Sequence, residues 1–269
     1  MKKSALLAVA LTLACSAWAQ VPQHIDINGI NGGKKGAEVI EDVVVPVPSE
    51  IFSVLDKQGH VAWVQVLKKT KDPIQPRGSQ EQISLLLGTV IAEGFVAVEA
   101  QDPDEVKNIG KSVLELSKAI GVKKTVVTRS NAIISDADKK DWQNVRVELD
   151  KALQDVKSAM AELRSQNLAQ LVSLGGWLRG TEALTQVVLM NYTAEGAELL
   201  HQPVLIKNFK RRVEALKKKD PLVQKIRQGL DQIEPLMGNG EGEISEKNVK
   251  DIQQICSDLL KAINQKPNQ

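Results

Sequence analysis

Two stretches of this chain, residues 83–98 and 168–190, carry apolar side chains on most sides of a helical turn. A helix that is apolar all round has no face to give to water, so each must sit at the centre of a fold and be covered by other elements. Both stretches contain the pattern Leu-Gly-x-x-Ile/Leu, at Leu87-Gly88-x-x-Ile91 and Leu174-Gly175-x-x-Leu178. The shared glycines predict that the two backbones run close together at equivalent places. Glu93 follows Gly88 by five residues and Arg179 follows Gly175 by four. A carboxylate enclosed among such neighbours is costly without a partner, so a structural ion pair between Glu93 and Arg179 is expected.

The covering helices are legible from period and caps. Trp142, Val145, Leu149, Ala152, Val156, Met160 and Leu163 recur at spacings of three and four, one stripe of a long amphipathic helix that should rest on the two central segments. Ser79 and Gln82 have the spacing of a capping box, and Asp102-Pro103-Asp104-Glu105 supplies a cap, a first-turn proline and an acidic third position. Asp220-Pro221 repeats that start, while Gly121 and Gly238 are predicted helix stops. From Ser49 onward nearly every segment reads as helical. The predicted fold is therefore all-α, a bundle of about eight helices with an extended N-terminal arm. A pseudo-repeat over residues 79–163 and 167–263 is compatible with the shared glycine pattern.

Lys2, Lys3, the apolar run over residues 5–15 and Ala17-Trp18-Ala19 have the layout of an export signal over residues 1–19, cut before Gln20. Residues 20–48, with Asn31-Gly32-Gly33 and the alternating Val43-Val44-Val45-Pro46-Val47-Pro48, read as a flexible arm ending in an extended segment, ahead of a helical domain over 49–269. Of the 35 Lys and Arg residues the signal holds two, and the remainder balance the 33 Asp and Glu. That balance removes whole-molecule attraction as a reason to expect nucleic acid as a partner. Only one of the two cysteines, Cys256, lies beyond the signal, so no internal disulfide is expected. Glu93 and Glu99 interrupt the longest remaining apolar run. An exported protein, periplasmic or secreted, with no transmembrane segment in the mature chain follows as an expectation.

The stretches Val45-Pro46-Val47-Pro48-Ser49-Glu50-Ile51-Phe52 and Ser173-Leu174-Gly175-Gly176-Trp177-Leu178-Arg179-Gly180 resemble those of exported, all-helical bacterial proteins that carry no assigned function. The resemblance covers most of the mature chain. It implies an export-linked helical fold and carries no chemistry with it.

Catalytic material is sparse. His24, His60 and His201 stand far apart, outside any nucleophile motif, and no Gly-x-Ser-x-Gly elbow occurs. Cys256 falls on the apolar face of the last helix, as a buried, inert thiol would. Glu198 and His201 have the Glu-x-x-His spacing of a di-iron ligand pair, but such a centre needs two pairs and Pro203 follows at once. The turn over residues 237–248 imitates an EF-hand loop at Asn239, Glu241, Gly242 and Ser245. Met237 and Asn248 replace the anchoring acids at its ends, and no metal or other cofactor is expected. Exported helical enzymes that cut cell-wall glycan resemble this chain in class, and Glu93 is the carboxylate with surroundings apolar enough to serve as their proton donor. Their Glu-Ser-x-Phe context is missing.

Residues 207–227 hold a basic amphipathic helix and turn, with Lys207, Lys210, Arg211, Arg212, Lys217, Lys218 and Lys219 as candidate binding residues. Phe209 alone offers a stacking surface, which disfavours single-stranded nucleic acid and favours a protein or an anionic envelope component as partner. The expected function is thus a non-enzymatic, exported helical protein that binds another component of the cell envelope. The alternative is a glycan hydrolase built on a buried glutamate.

Overall fold

A computed structural model describes residues 61–216, 220–238 and 244–266, and among these all regular structure is helical. The fold is the all-α bundle that the periodicity predicts. The export signal, the arm over 20–48, the helix expected after Ser49, and Lys217, Lys218 and Lys219 lie outside the described residues.

The central pair is α2, Gln80–Glu99, and α6, Gln166–Met190. Their register is set by glycine. A Cβ on Gly88 would lie 1.9 Å from the carbonyl oxygen of Val172, and one on Gly175 would lie 2.0 Å from that of Leu85. Val172 precedes Gly175 by three residues and Leu85 precedes Gly88 by three. The contact is reciprocal, as an approximate two-fold axis between the helices requires. By length and composition α2 could cross a membrane, despite Glu93 and Glu99, but 89% of its most apolar 18 residues are buried inside the bundle.

The chain leaves α2 through α3, Pro103–Ala119, α4, Lys123–Asp138, and α5, Trp142–Glu162, before entering α6. Each of the four turns ends its helix in the same way. Gln101, Gly121, Lys140 and Arg164 take left-handed φ values of 53°, 84°, 57° and 54°. The next amide then reaches back five residues, Asp102 to Ala97, Val122 to Ser117, Asp141 to Asp136 and Ser165 to Met160, at 2.8–3.0 Å. These are Schellman closures, which consume the last free carbonyls of the helix and fold the chain back on itself. Val145, Leu149, Ala152, Val156 and Met160 of α5 are buried as one stripe, against α4 as well as α2 and α6, whereas Leu163 is 56% exposed.

Beyond α6 come the short α7, Ala194–Glu198, then α8, Pro203–Ala215, α9, Pro221–Ile233, a 3-10 turn over Glu234–Met237, and α10, Glu246–Asn264. Trp177 of α6 meets Phe209 of α8 with ring centroids 5.4 Å apart, and α10 returns to pack on α6. Two capping boxes are only half formed. The Oγ of Ser79 accepts from the amide of Gln82, but the Gln82 side chain donates to the carbonyls of Ile263 and Gln265, closing the end of α10. Asp102 likewise caps the amide of Glu105 while Glu105 turns elsewhere.

One segment departs from the helical expectation. After the single turn of α1, Trp63–Val66, residues 67–78 form an irregular strap. Pro73 and Pro76 push the residues before them out of the helical region, and Lys68-Lys69-Thr70-Lys71-Asp72 has no apolar stripe to bury.

Candidate functional site

The strap lies across a trough lined by α2, α3 and α6, and its backbone is read by side chains. Arg179 Nη2 donates to the carbonyl of Val66 at 2.8 Å, and Glu93 Oε1 accepts the amide of Lys68 at 2.7 Å. Both carboxylate oxygens of Glu105 accept from the amide of Thr70 at 3.3 Å. Asn108 donates to the Thr70 carbonyl at 3.0 Å, and Ser112 accepts the amide of Ile74 at 2.9 Å. Buried backbone groups outside regular structure must find partners, and here helix side chains take the part a neighbouring strand would play.

Glu93 and Arg179 meet: the Arg179 Nε donates to Glu93 Oε2, with Arg179 1% exposed and Glu93 8% exposed. Sequence reasoning overlooked their third member. Glu182 is 2% exposed and accepts from Arg179 Nη1 at 3.1 Å and from the ammonium of Lys68 at 2.6 Å. The signal was present, since Glu182 stands three residues after Arg179 in an otherwise apolar helix, the spacing of a same-face pair. Lys68, Thr70, Glu105 and Asn108 carried no such signal, because nothing local says that a lysine-rich loop will dock.

Burial pulls down the pKa of the Arg179 guanidinium, but Glu93 and Glu182 outweigh it and the net shift is upward. Arg179 is therefore a permanent cation holding two carboxylates. Burial pushes the Glu105 carboxyl up, only partly opposed by its bonds from Thr70. Burial also raises the Cys256 thiol, with Glu182 adding to the effect, so this fully buried residue is a poor nucleophile.

The other candidates are spread out. His201 lies beyond the end of α7, not on one helical face with Glu198, and its Nδ1 pairs with the Met237 carbonyl at 2.9 Å. In the turn resembling an EF-hand, the Met237 side chain is buried and Asn248 donates to the Leu236 carbonyl at 3.3 Å. Among the described residues no group of three His, Cys, Asp or Glu side chains could hold a metal ion. On α8, Lys207 and Arg211 are exposed. Lys210 is held inward by Asp231 at 2.6 Å and Glu234 at 2.5 Å, and the Arg212 Nε donates to Asn208 at 2.8 Å. Among the described residues the basic run thus divides between a solvent face, Lys207 and Arg211, and internal ties, from Lys210 to α9 and the 3-10 turn and from Arg212 within α8. No protein-family model matches this chain, and neither the curated proteins nor the solved structures gave a match to it.

Proposed function

We propose that this chain is an exported, non-enzymatic helical protein that binds another component of the cell envelope. The observation that carries the choice is the state of Glu93. Both of its oxygens are engaged, one by the Lys68 amide and one by Arg179, under the strap. A glycosidase acid must reach a glycosidic oxygen and a second carboxylate must face it across the substrate. In the docked state Glu93 is 8% exposed, and the nearby carboxylate of Glu182 is held with it on Arg179 instead of facing it across an open cleft.

The surface that supports binding is the outer face of α8, where Lys207 and Arg211 stand exposed just ahead of the lysine run at 217–219. Exposed cations above an apolar stripe suit an anionic surface, through charge attraction that salt weakens. Two measurements test the reading. The purified chain should release no products from cell-wall glycan, with or without Glu93→Gln. It should sediment with vesicles of anionic phospholipid but not of zwitterionic phospholipid, and Lys207→Glu with Arg211→Glu should reduce that sedimentation severalfold. Glycan cleavage abolished by Glu93→Gln would transfer the function to the hydrolase class. Export itself is tested by the intact mass of the secreted chain, expected to begin at Gln20.

A further inference from the structure

The strap behaves in its geometry as a bound ligand. Its paired backbone groups fall at Lys68, Thr70 and Ile74, even-numbered positions as along one edge of an extended strand, next to the Val66 carbonyl at the end of α1. Its side chains are read as well. Val66, where α1 meets the strap, is 1% exposed, the Lys68 ammonium sits on Glu182, and the Thr70 hydroxyl donates to Glu105 at 3.1 Å while accepting from Asn108 at 2.7 Å. We propose that this trough is a binding site for an extended, lysine-bearing polypeptide segment, filled in one molecule by residues 66–74 and open to exchange with the same segment of a second copy of this chain.

Charge selects such an occupant. Glu93, Asp102, Glu105 and Glu182 line or border the trough, and Arg179 is the cation facing them from the helices. With the strap lifted, four carboxylates oppose one guanidinium, and Lys68 and Lys69 are what the strap returns to them, on Glu182 and Asp102. A vacated trough would therefore attract a basic segment and repel an acidic one. Connectivity permits the segment to come from elsewhere. The bonds between strap and trough join residues 25 to 114 positions apart, so none depends on a short covalent path. The connection to α2 holds Pro73, Pro76 and Gly78, the last at a φ of 77°. Prolines stiffen that link toward extended forms, and Gly78 is the turn whose opening would direct the strap away. A second copy carries the identical segment, so exchange replaces each contact with its equal, the condition under which swapping is cheap.

The test uses two full-length chains, both with Cys15→Ser, one bearing Ile74→Cys on the strap and the other Ser112→Cys in the trough. Mixed at high concentration and oxidised, they should form a disulfide-linked heterodimer whose yield rises with concentration. A heterodimer yield no greater than that given by Val64→Cys, at an exposed position of α1, overturns the proposal. Hydrogen exchange on the unaltered protein decides independently of whether the variants fold. The Lys68 and Thr70 amides should exchange through an opening that leaves α2 and α6 protected. Exchange of those amides only with global unfolding overturns it as well.

Discussion

Arg179 joins two buried carboxylates and a backbone carbonyl, those of Glu93, Glu182 and Val66. Arg179→Met leaves two enclosed carboxylates and an orphan carbonyl, and should destabilise the fold by about 3–5 kcal/mol in denaturant unfolding. Glu93→Gln should cost less, because an amide oxygen still accepts the Lys68 amide, and the double variant should cost well below the sum of the two. Additive losses would mean that the two side chains do not share an interaction. Glu105 gives a pH dependence of definite sign. Its folded pKa is raised above the ordinary 4.5, so its protonated form favours the folded state. That contribution is fully present below about pH 4.5 and fades as pH rises through the folded value. The melting temperature of the native chain relative to Glu105→Gln should accordingly fall on going from pH 4.5 toward neutrality. The ion pair was legible because each partner is a lone charge among residues that the pattern buries. The strap's attachment was not, because hydrogen bonds from side chains to an irregular backbone leave no periodic trace in sequence.

At the level of the element, glycine and left-handed residues separate two kinds of constraint. Gly88 and Gly175 are required by contact: alanine at either would place a methyl about 2 Å from a carbonyl oxygen of the facing helix. Either substitution should cost several kcal/mol, at the upper end of single-residue effects, or prevent folding. Gly180 lies in the same helix with nothing within 4 Å of its notional Cβ, so Gly180→Ala should stabilise by about 0.5–1 kcal/mol through helix propensity alone. Thermal melts of the three variants would distinguish close approach from mere tolerance. Gln101, Lys140 and Arg164 pose the opposite case, since each holds a left-handed conformation that suits glycine. Replacing any of them by glycine should raise stability by about 0.5–1 kcal/mol. Helix starts were readable from Ser79, Asp102 and Asp220, which all cap as expected. Three of the four left-handed stops were not, because their residues are chosen for the solvent and only the backbone records the turn. The diverted side chains of Gln82 and Glu105 show why a capping box read from sequence is a statement about the first residue more than the fourth.

For the whole molecule, the two apolar segments identified from sequence are the axis of the structure; α1, α3, α5, α7, α8 and α10 pack directly on one or both of them, while α4 and α9 pack on those covering helices. On the binding reading, the chain should remain intact and inert toward glycan while its association with anionic vesicles weakens as salt rises, the signature of exposed charge and not of buried area. The reciprocal glycine contact between α2 and α6 has a further consequence, for the genetics of the protein. What stands opposite Gly88 is a carbonyl oxygen, and what stands opposite Gly175 is another. A clash with a side chain can be relieved by shortening that side chain, but every amino acid presents the same carbonyl. A selection for second-site suppressors of Gly88→Ala should therefore return no compensating substitution at Val172, and none at Leu85 for Gly175→Ala; revertants should restore the glycine itself or fall at distant positions that strengthen the bundle generally.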